Sequence, residues 1–432
     1  MPAPDLFFYQ IAVAVILVGI RRLPAVRNIM AHGRQRMLVV LNTDKICTVA
    51  DRCWHIMAEC LNVCGLSYSL EGSLPPLEPF IGPGSGEDGN IVIFEGKYTG
   101  EIDSTAVYSL SDIDVHKLSD GSWLYCPIRR KKRIWLSASA DYREIKLYCP
   151  KSRGKKANRS QEAFYLRVAL VCRLIEKNIF CLHGAAVSVS GSAVIFTGKS
   201  GMGKSTRAKD WVDYLGAELI SGDRPALGVG GKSAVVYGIP WDGKEQIFNN
   251  VSAPLKAVLD VRRMKSTHIR KLTPAQTQAM LIKQLTVPMW DADVAANIMA
   301  LLRIVSGRLP VYRVFCDRGE KAAREVYDIL YNHPELIKEA EEEMKIKEGF
   351  LLREVLGEYI VMPVGENVAH YGGAVALNEV SAFVFKALRN PMGYDDVLQM
   401  ILDKYDVDEA TARADLDELL EKFDSMELFE KN

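Results

Sequence analysis

The residues best suited to chemistry form one run: Gly198, Lys199, Ser200, Gly201, Met202, Gly203, Lys204, Ser205 and Thr206. Its Gly-x-x-x-x-Gly-Lys-Ser spacing lets backbone N–H groups converge on phosphate oxygens, and a helix starting there adds partial positive charge. In that pattern Lys204 reaches the β- and γ-phosphates of a nucleotide, and the Ser205 hydroxyl holds Mg²⁺. ATP and Mg²⁺ are the expected ligands. Asp223 comes nineteen residues after Lys204, room for one helix and a return strand. It falls just past the apolar run 217–221, at the strand end where ligands gather in open α/β sheets. Asp223 is therefore the natural general base or, with Ser205, the metal ligand. His183 stands at a strand–turn boundary one hairpin before the loop. There it can contact phosphate or handle a proton, and a purely structural role is equally open. Lys204, Asp223 and His183 make up the catalytic set.

Weaker candidates lie downstream. In the segment 239–244, Lys244 could clamp a phosphate, Asp242 could serve a metal and Trp241 could border the site. A turn whose Trp packs into the core explains the segment as well. Arg262, Arg263 and Lys265 could contact phosphate, an unspecific signal. The nine cysteines form no Cys-x-x-Cys pair, and their scatter suits a reducing compartment. Cys53, Cys60 and Cys64 recur at helical spacing near His55, but core packing explains them better than a metal site. The basic clusters 129–133 and 151–156 lack interleaved aromatic residues, so no nucleic-acid partner is expected.

These residues must be positioned by a chain of 432 residues, long enough for two to four domains. The periodicity predicts a strand over 193–197 and a helix over 206–215, with Ala208, Trp211, Val212 and Leu215 on one face. Further strands are expected at 217–221, 234–238, 257–261 and 311–315, and helices at 161–176, 275–286, 292–304 and 320–331. Ahead of this core, 37–158 reads as a small α+β domain. It has a helix over 48–64 and strands at 90–94, 105–109, 122–128, 133–138 and 144–149. After the nucleotide domain, 159–332, the stretch 333–348 reads as a charged helical linker. The region 349–432 then has strands near 350–356, 358–363 and 368–371. Three helices follow, the first capped by Asn378 and the third starting near Asp408.

The zero net charge hides an asymmetry. Residues 349–432 hold seven Lys or Arg against seventeen Asp or Glu, a net of −10 that the rest of the chain offsets. Such a block favours a separate acidic module. At the other end, 6–20 is apolar and followed by Arg21, Arg22 and Arg27. It lacks the basic start and cleavage site of a signal peptide and is shorter than the ~20 residues of a spanning helix. A cytoplasmic protein is expected, with 1–36 outside the fold. Membrane association through 6–20 and translation starting at Met37 both stay open.

Two family resemblances follow from these motifs. His183-Gly184, then the glycine loop, then Leu219-Ile220-Ser221-Gly222-Asp223-Arg224 resembles the catalytic core of the HPr kinase family, over about 179–330. That family's fold is related to ATP-dependent phosphoenolpyruvate carboxykinase. Gly222 stands where the family has the first of two aspartates, so the resemblance leaves open whether Asp223 is base or metal ligand. The family's acidic-Arg-Gly-Leu-Gly segment is also missing, which implies a different substrate. Over about 349–430, three strands followed by Leu377-Asn378-Glu379 opening a helix and two more helices is similar to the PqqD family. That family is the recognition element for ribosomally made, modified peptides. The resemblance implies that a leader peptide adds as an edge strand and packs on a helix, near 359–368 and the last helix.

The expected fold is thus an α/β P-loop, HPr kinase-like core with a small α+β N-terminal domain and a winged-helix-like, PqqD-type C-terminal domain. The expected function is ATP-dependent phosphorylation of a Ser or Thr hydroxyl in a precursor peptide held by its leader. The expected partners are that peptide and the nucleotide, and a homo-oligomer is expected. A small-molecule kinase regulated by its tail, and a non-enzymatic peptide chaperone that uses nucleotide as a switch, are the alternatives.

Overall fold

The computed structural model describes residues 59–430 apart from 74, 111–112, 129–133, 150–155, 231–232, 242–248, 370 and 372. It opens with a hairpin. Cys64 and Gly65 both have positive φ, 54° and 81°, and Val63 faces Leu66 across them. Positive φ at both central residues suits a two-residue turn between right-twisted strands. Residues 59–63 are therefore the strand β1 (Glu59–Val63), not the end of a helix over 48–64; residues 48–58, with Cys53 and His55, lie outside the described residues. Cys60 and Cys64 are buried and free, as core packing requires. The following strands are β2 (Leu66–Glu71), β3 (Ile81–Pro83), β4 (Gly89–Glu95), β5 (Ala106–Leu110), β6 (Ile113–Lys117), β7 (Trp123–Pro127), β8 (Trp135–Ala138) and β9 (Glu144–Cys149). They form one sheet in the order β3-β1-β2-β4-β9-β8-β7-β6-β5. The described part of this region is a nine-stranded sheet with one 3-10 helix, Pro75–Phe80, before the long helix that begins at Lys156.

Helix comes next, as α1 (Lys156–Glu176). From Tyr165 onward this helix is buried nearly all round, because it lies between the first sheet and the next layer of core. Tyr142 Oη donates to Asp291 Oδ2 at 3.0 Å and Trp290 Nε1 donates to Tyr125 Oη at 3.1 Å, tying the first sheet to the same core.

The central layer contains β10 (Ile179–Cys181), β11 (Gly184–Val189), β12 (Ser192–Thr197), α2 (Lys204–Leu215), β13 (Glu218–Ser221), β14 (Ala226–Gly230), β15 (Ser233–Tyr237), β16 (Ser252–Arg263) and β17 (His268–Lys271). It is completed by α3 (Pro274–Gln284), α4 (Ala292–Val305), β18 (Val311–Cys316) and α5 (Glu320–Tyr331). The sheet runs β10-β14-β15-β16-β12-β11-β13, with β18 pairing β16 and β17 pairing β18. The long β16 is parallel to both β12 and β18, so their carboxyl ends point the same way. One face is covered by α2 and α5, where Phe196 meets Trp211 edge-on at 5.3 Å. The other face packs α1, α3 and α4.

The stretch expected as a helical linker is extended after a single 3-10 turn, Pro334–Leu336. Its backbone bridges to Arg270, Met392 and Phe429 at Lys338, Met344 and Ile346. The physical reason is a period of two. Glu339, Glu341 and Glu343 pair with Lys271, Arg270 and Arg313, which a helix could not present to one wall. Beyond it, β19 (Phe350–Val355), β20 (Glu358–Pro363) and β21 (Val375–Leu377) form a three-stranded sheet with β20 in the middle. The expected strand at 368–371 is absent. A 3-10 turn covers Gly365–Ala369 with Val368 exposed, and the third strand lies where Leu377 can be buried.

Three helices close the chain: α6 (Glu379–Ala387), α7 (Tyr394–Lys404) and α8 (Glu409–Ser425). Asn378 caps α6, its Oδ1 accepting from Ser381 N at 2.7 Å, and Asp408 caps α8 through Thr411 N at 3.0 Å. Removing such a cap orphans one helix N–H, so Asn378→Ala is expected to cost about 1 kcal/mol in urea melts. Met264 and Phe315 of the central layer belong to the hydrophobic cluster of this last region.

Candidate functional site

The site begins where β12 runs out. Thr197 pairs with Asp260 of β16, and the chain then turns through Gly198 at φ 126°. A Cβ at Gly198 would come 2.9 Å from Asp260 Oδ1, so glycine is required by φ and by space together. Gly201 and Gly203 also have positive φ, and α2 starts at Lys204 with Gly203 at its cap. Lys204 is folded onto the loop. Its Nζ donates to the carbonyls of Gly198 at 3.0 Å and Lys199 at 3.4 Å. Burial lowers its pKa, while Asp223 and Asp260 pull the other way. Arg207 braces the loop from below, donating to Met202 O at 2.9 Å and to Cys316 O at 2.7 Å.

The hairpin β11–β12 and the neighbouring β13 bring together His183 and Asp223, the other two residues of the expected catalytic set. Gly184 N donates to Asp223 O at 2.8 Å and His183 Nδ1 lies 3.4 Å from Asp223 Oδ1. On its far side Asp223 Oδ2 is 3.3 Å from Arg224 Nε, and Arg224 Nη1 donates to Thr286 Oγ1 at 2.8 Å. Burial and then Lys204 lower the His183 pKa against the pull of Asp223, so the ring is neutral near pH 7. Ser205 Oγ donates to Gly222 O at 3.4 Å, next to Asp223 in the chain. Among the described residues no three His, Cys, Asp or Glu side chains gather as a metal site. One hydroxyl and one carboxylate nonetheless fit Mg²⁺, which takes few protein oxygens and keeps waters and substrate phosphates. Lys199, Ser200 and Thr206 are exposed around the loop, and Met202 is half-buried.

Asp260 is the residue that sequence reasoning missed. It is buried, and its two oxygens accept from Arg262 Nη1 at 2.8 Å and Arg313 Nε at 3.1 Å. The signal was present as a lone acid closing the apolar run 257–259. Arg167, also missed, has its pKa lowered by burial and by Arg224, against Asp223. Of the weaker candidates, Arg262 is taken up by Asp260, and Lys265 donates to Asp403 O at 3.0 Å. Trp241 is buried in the core, and Asp242 and Lys244 lie outside the described residues.

A second concave surface lies in the last region, a groove of about 250 Å³ lined by Phe350, Val361, Tyr371, Val375, Met426 and Leu428. It runs between the small sheet and the end of α8. Because β20 is paired on both sides, the segment expected to receive a peptide strand, near 359–368, has no free edge at Tyr359–Val361; the outer strands are β19 and β21.

Comparison with known proteins bears on this last region. Residues 358–428 match the family model described as coenzyme PQQ synthesis protein D (PqqD). The chain thus carries a PqqD domain near its C-terminal end, in a mixed α/β protein with several sheets. Among solved structures, TbiB1 in complex with the TbiA(beta) leader peptide matches at 21% identity, over 21% of this chain and 98% of that one, with a TM-score of 0.18. The Hpr(Ser) kinase/phosphatase from Coxiella burnetii matches at 11% identity, over 36% of this chain and 90% of that one, with a TM-score of 0.22. At TM-scores this low the two likenesses fix neither fold nor chemistry. No curated protein matches the sequence. No helix among the described residues is long and apolar enough to cross a membrane, and 6–20 lies outside them.

Proposed function

We propose that the chain is an ATP-dependent kinase of a ribosomally made precursor peptide, which it holds through its PqqD domain. The observation that supports this reading best is the gathering of Lys204, Asp223 and His183 around one glycine loop, on a chain that also carries that domain. The loop N–H groups, the start of α2 and Lys204 would cradle the phosphates, Lys204 exchanging the carbonyls of Gly198 and Lys199 for phosphate oxygens. Ser205 would hold Mg²⁺, with Asp223 as second ligand only where that carboxylate is not the base, and the ion would neutralise charge on the transferring group. The acceptor oxygen of a Ser or Thr forms the new O–P bond as the bond from the γ-phosphorus to the β,γ-bridging oxygen breaks and ADP leaves. The acceptor's proton goes to Asp223, with neutral His183 beside it. Little covalent work is asked of the protein; position and charge supply the rate.

The leader would add along the free edge of β21 and press apolar side chains into the groove between Val375 and Met426. Holding one end of the peptide raises the concentration of its hydroxyl at the loop, so a weak local fit suffices.

The test is mass spectrometry of the peptide encoded beside this gene after incubation with Mg-ATP. The peptide should gain one phosphoryl group. Val375→Asp, which puts a charge into the groove, should slow that gain by about tenfold or more, the loss of one buried apolar anchor, and leave ATP binding intact. ATP and peptide binding with no mass gain would favour the nucleotide-switched chaperone, for which the lone Asp223 after Gly222 is the feature. Transfer to a small molecule, with no dependence on Val375, would favour the small-molecule kinase.

A further inference from the structure

Between the glycine loop and the PqqD domain lies a cavity of about 400 Å³. Six cations line it: Lys199, Arg262, Lys283, Arg313, Lys345 and Arg389. Only two acids do, Asp260 and Glu343, and both are already taken up by Arg262 and Arg313. Among the described residues Lys199 and Lys283 form no ion pair, and the buried Arg262 Nε has no acceptor. Arg389 sets its positive charge here although its region carries seven basic residues against seventeen acidic ones. Lys345 is paired with Glu430, which leaves Lys199, Lys283 and Arg389 as the cations of the cavity without a carboxylate among the described residues, and such an excess of positive charge is built for an anion.

Its lining says which anion. It includes Lys199, a residue of the glycine loop itself. It also includes Arg389, whose Nη1 donates to Phe350 O at 2.7 Å, and the Phe350 side chain lines the apolar groove. A peptide seated in that groove and reaching for the loop therefore passes the cavity. The nucleotide phosphates already have the loop amides and Lys204. We infer that the cavity takes a carboxylate side chain of the peptide being modified, in the stretch between its leader and its acceptor hydroxyl. The substrate class is thus a precursor with an acidic residue ahead of the phosphorylated Ser or Thr, an inference that rests on the function proposed above.

The test uses the full chain and two fluorescein-labelled peptides that share the leader of the peptide encoded beside this gene, one with a short run of Glu between that leader and the Ser and its twin with Gln. Anisotropy without nucleotide should show the Glu peptide binding about tenfold tighter, the sum of two or three half-exposed ion pairs. Raising the salt should shrink the difference. Lys283→Glu, an exposed position on α3, should abolish the preference, and Lys283→Arg should keep it. Equal binding of the two peptides, no binding of either, or a preference that survives Lys283→Glu would overturn the inference. So would inorganic tripolyphosphate losing as much affinity as the Glu peptide in Lys283→Glu, since the cavity would then serve the nucleotide. Transfer from Mg-ATP is measured separately. A chain that prefers the Glu peptide but transfers nothing sinks the kinase reading alone, and one that phosphorylates both peptides equally sinks the cavity alone.

Discussion

Asp223→Asn is expected to lower phosphoryl transfer to the peptide by about 10²–10⁴-fold, the usual contribution of a positioned general base, with ATP still bound. Asn keeps the shape, and Gly184 N still donates to the main-chain carbonyl at this position, so the β11–β13 pairing should survive. What is lost is the carboxylate proposed to take the proton. The two roles open to Asp223 separate in one titration. A fall in transfer at unchanged Mg²⁺ requirement marks the base, whereas transfer restored by excess Mg²⁺ marks the ligand. His183 adds a pH signature. Burial and Lys204 hold its pKa below the usual imidazole value, so it is neutral at pH 7 and becomes charged only as the pH falls. Transfer should therefore decline on the acid side, and His183→Asn should remove that limb. Transfer by Asp223→Asn at the unaltered rate would remove Asp223 from the chemistry.

The loop was legible because its signal is local: glycine spacing, an apolar strand before it and a helix after it need no knowledge of the rest of the chain. Asp223 was legible by the same logic of strand ends. Asp260 was not, because a single acid in an apolar run reads as strand, and its partner Arg313 arrives on β18 from far along the chain. The stretch 333–348, expected as a helix, is extended after its first turn for an instructive reason. Glu, Lys and Ala are strong helix formers, so propensity over 335–347 says helix. Propensity there is worth tenths of a kcal/mol per residue, less than the cost of leaving Arg270 and Arg313 buried without Glu341 and Glu343. The alternation of glutamates at 339, 341 and 343 was the readable sign. Likewise the edge that a peptide could use depends on β21, whose place was set by burial of Leu377 rather than by turn residues.

Asp396→Ala is expected to be the most disruptive change between the central layer and the PqqD domain. Asp396, on α7, is buried, and one oxygen takes His268 Nε2 at 3.0 Å together with Arg270 Nε at 3.2 Å and Nη2 at 3.0 Å. Burial alone would raise its pKa, but His268 and Arg270 outweigh burial and hold it low. Removing it leaves two buried donors on β17 without their shared acceptor, a loss of about 3–5 kcal/mol. Asp396→Asn, which keeps an acceptor, should lose less. The pH dependence identifies the network. Glu341 is pushed up to about 7 by burial; Arg270 Nη1, 3.2 Å away, opposes this, and Asp396 and Asp395 add to it. Its folded pKa lies above its unfolded value, so its contribution is complete below about pH 4.5. That contribution fades as the pH rises toward 7, because in this window the folded state holds a proton that the unfolded state has released, and it is gone once the folded carboxyl has ionised as well. A Cβ at Gly393 would fall 1.4 Å from Glu341 Oε1, so the carboxyl is packed against the start of α7 and has little room to escape by moving. Without Asp396, Arg270 is free for Glu341 and one neighbouring negative charge is gone, so the pKa of Glu341 should fall. Urea melts between pH 5 and 7 should therefore show stability dropping with pH in the unaltered chain and a flatter profile in Asp396→Ala. An equally steep profile in both would mean that Glu341 does not titrate through this network.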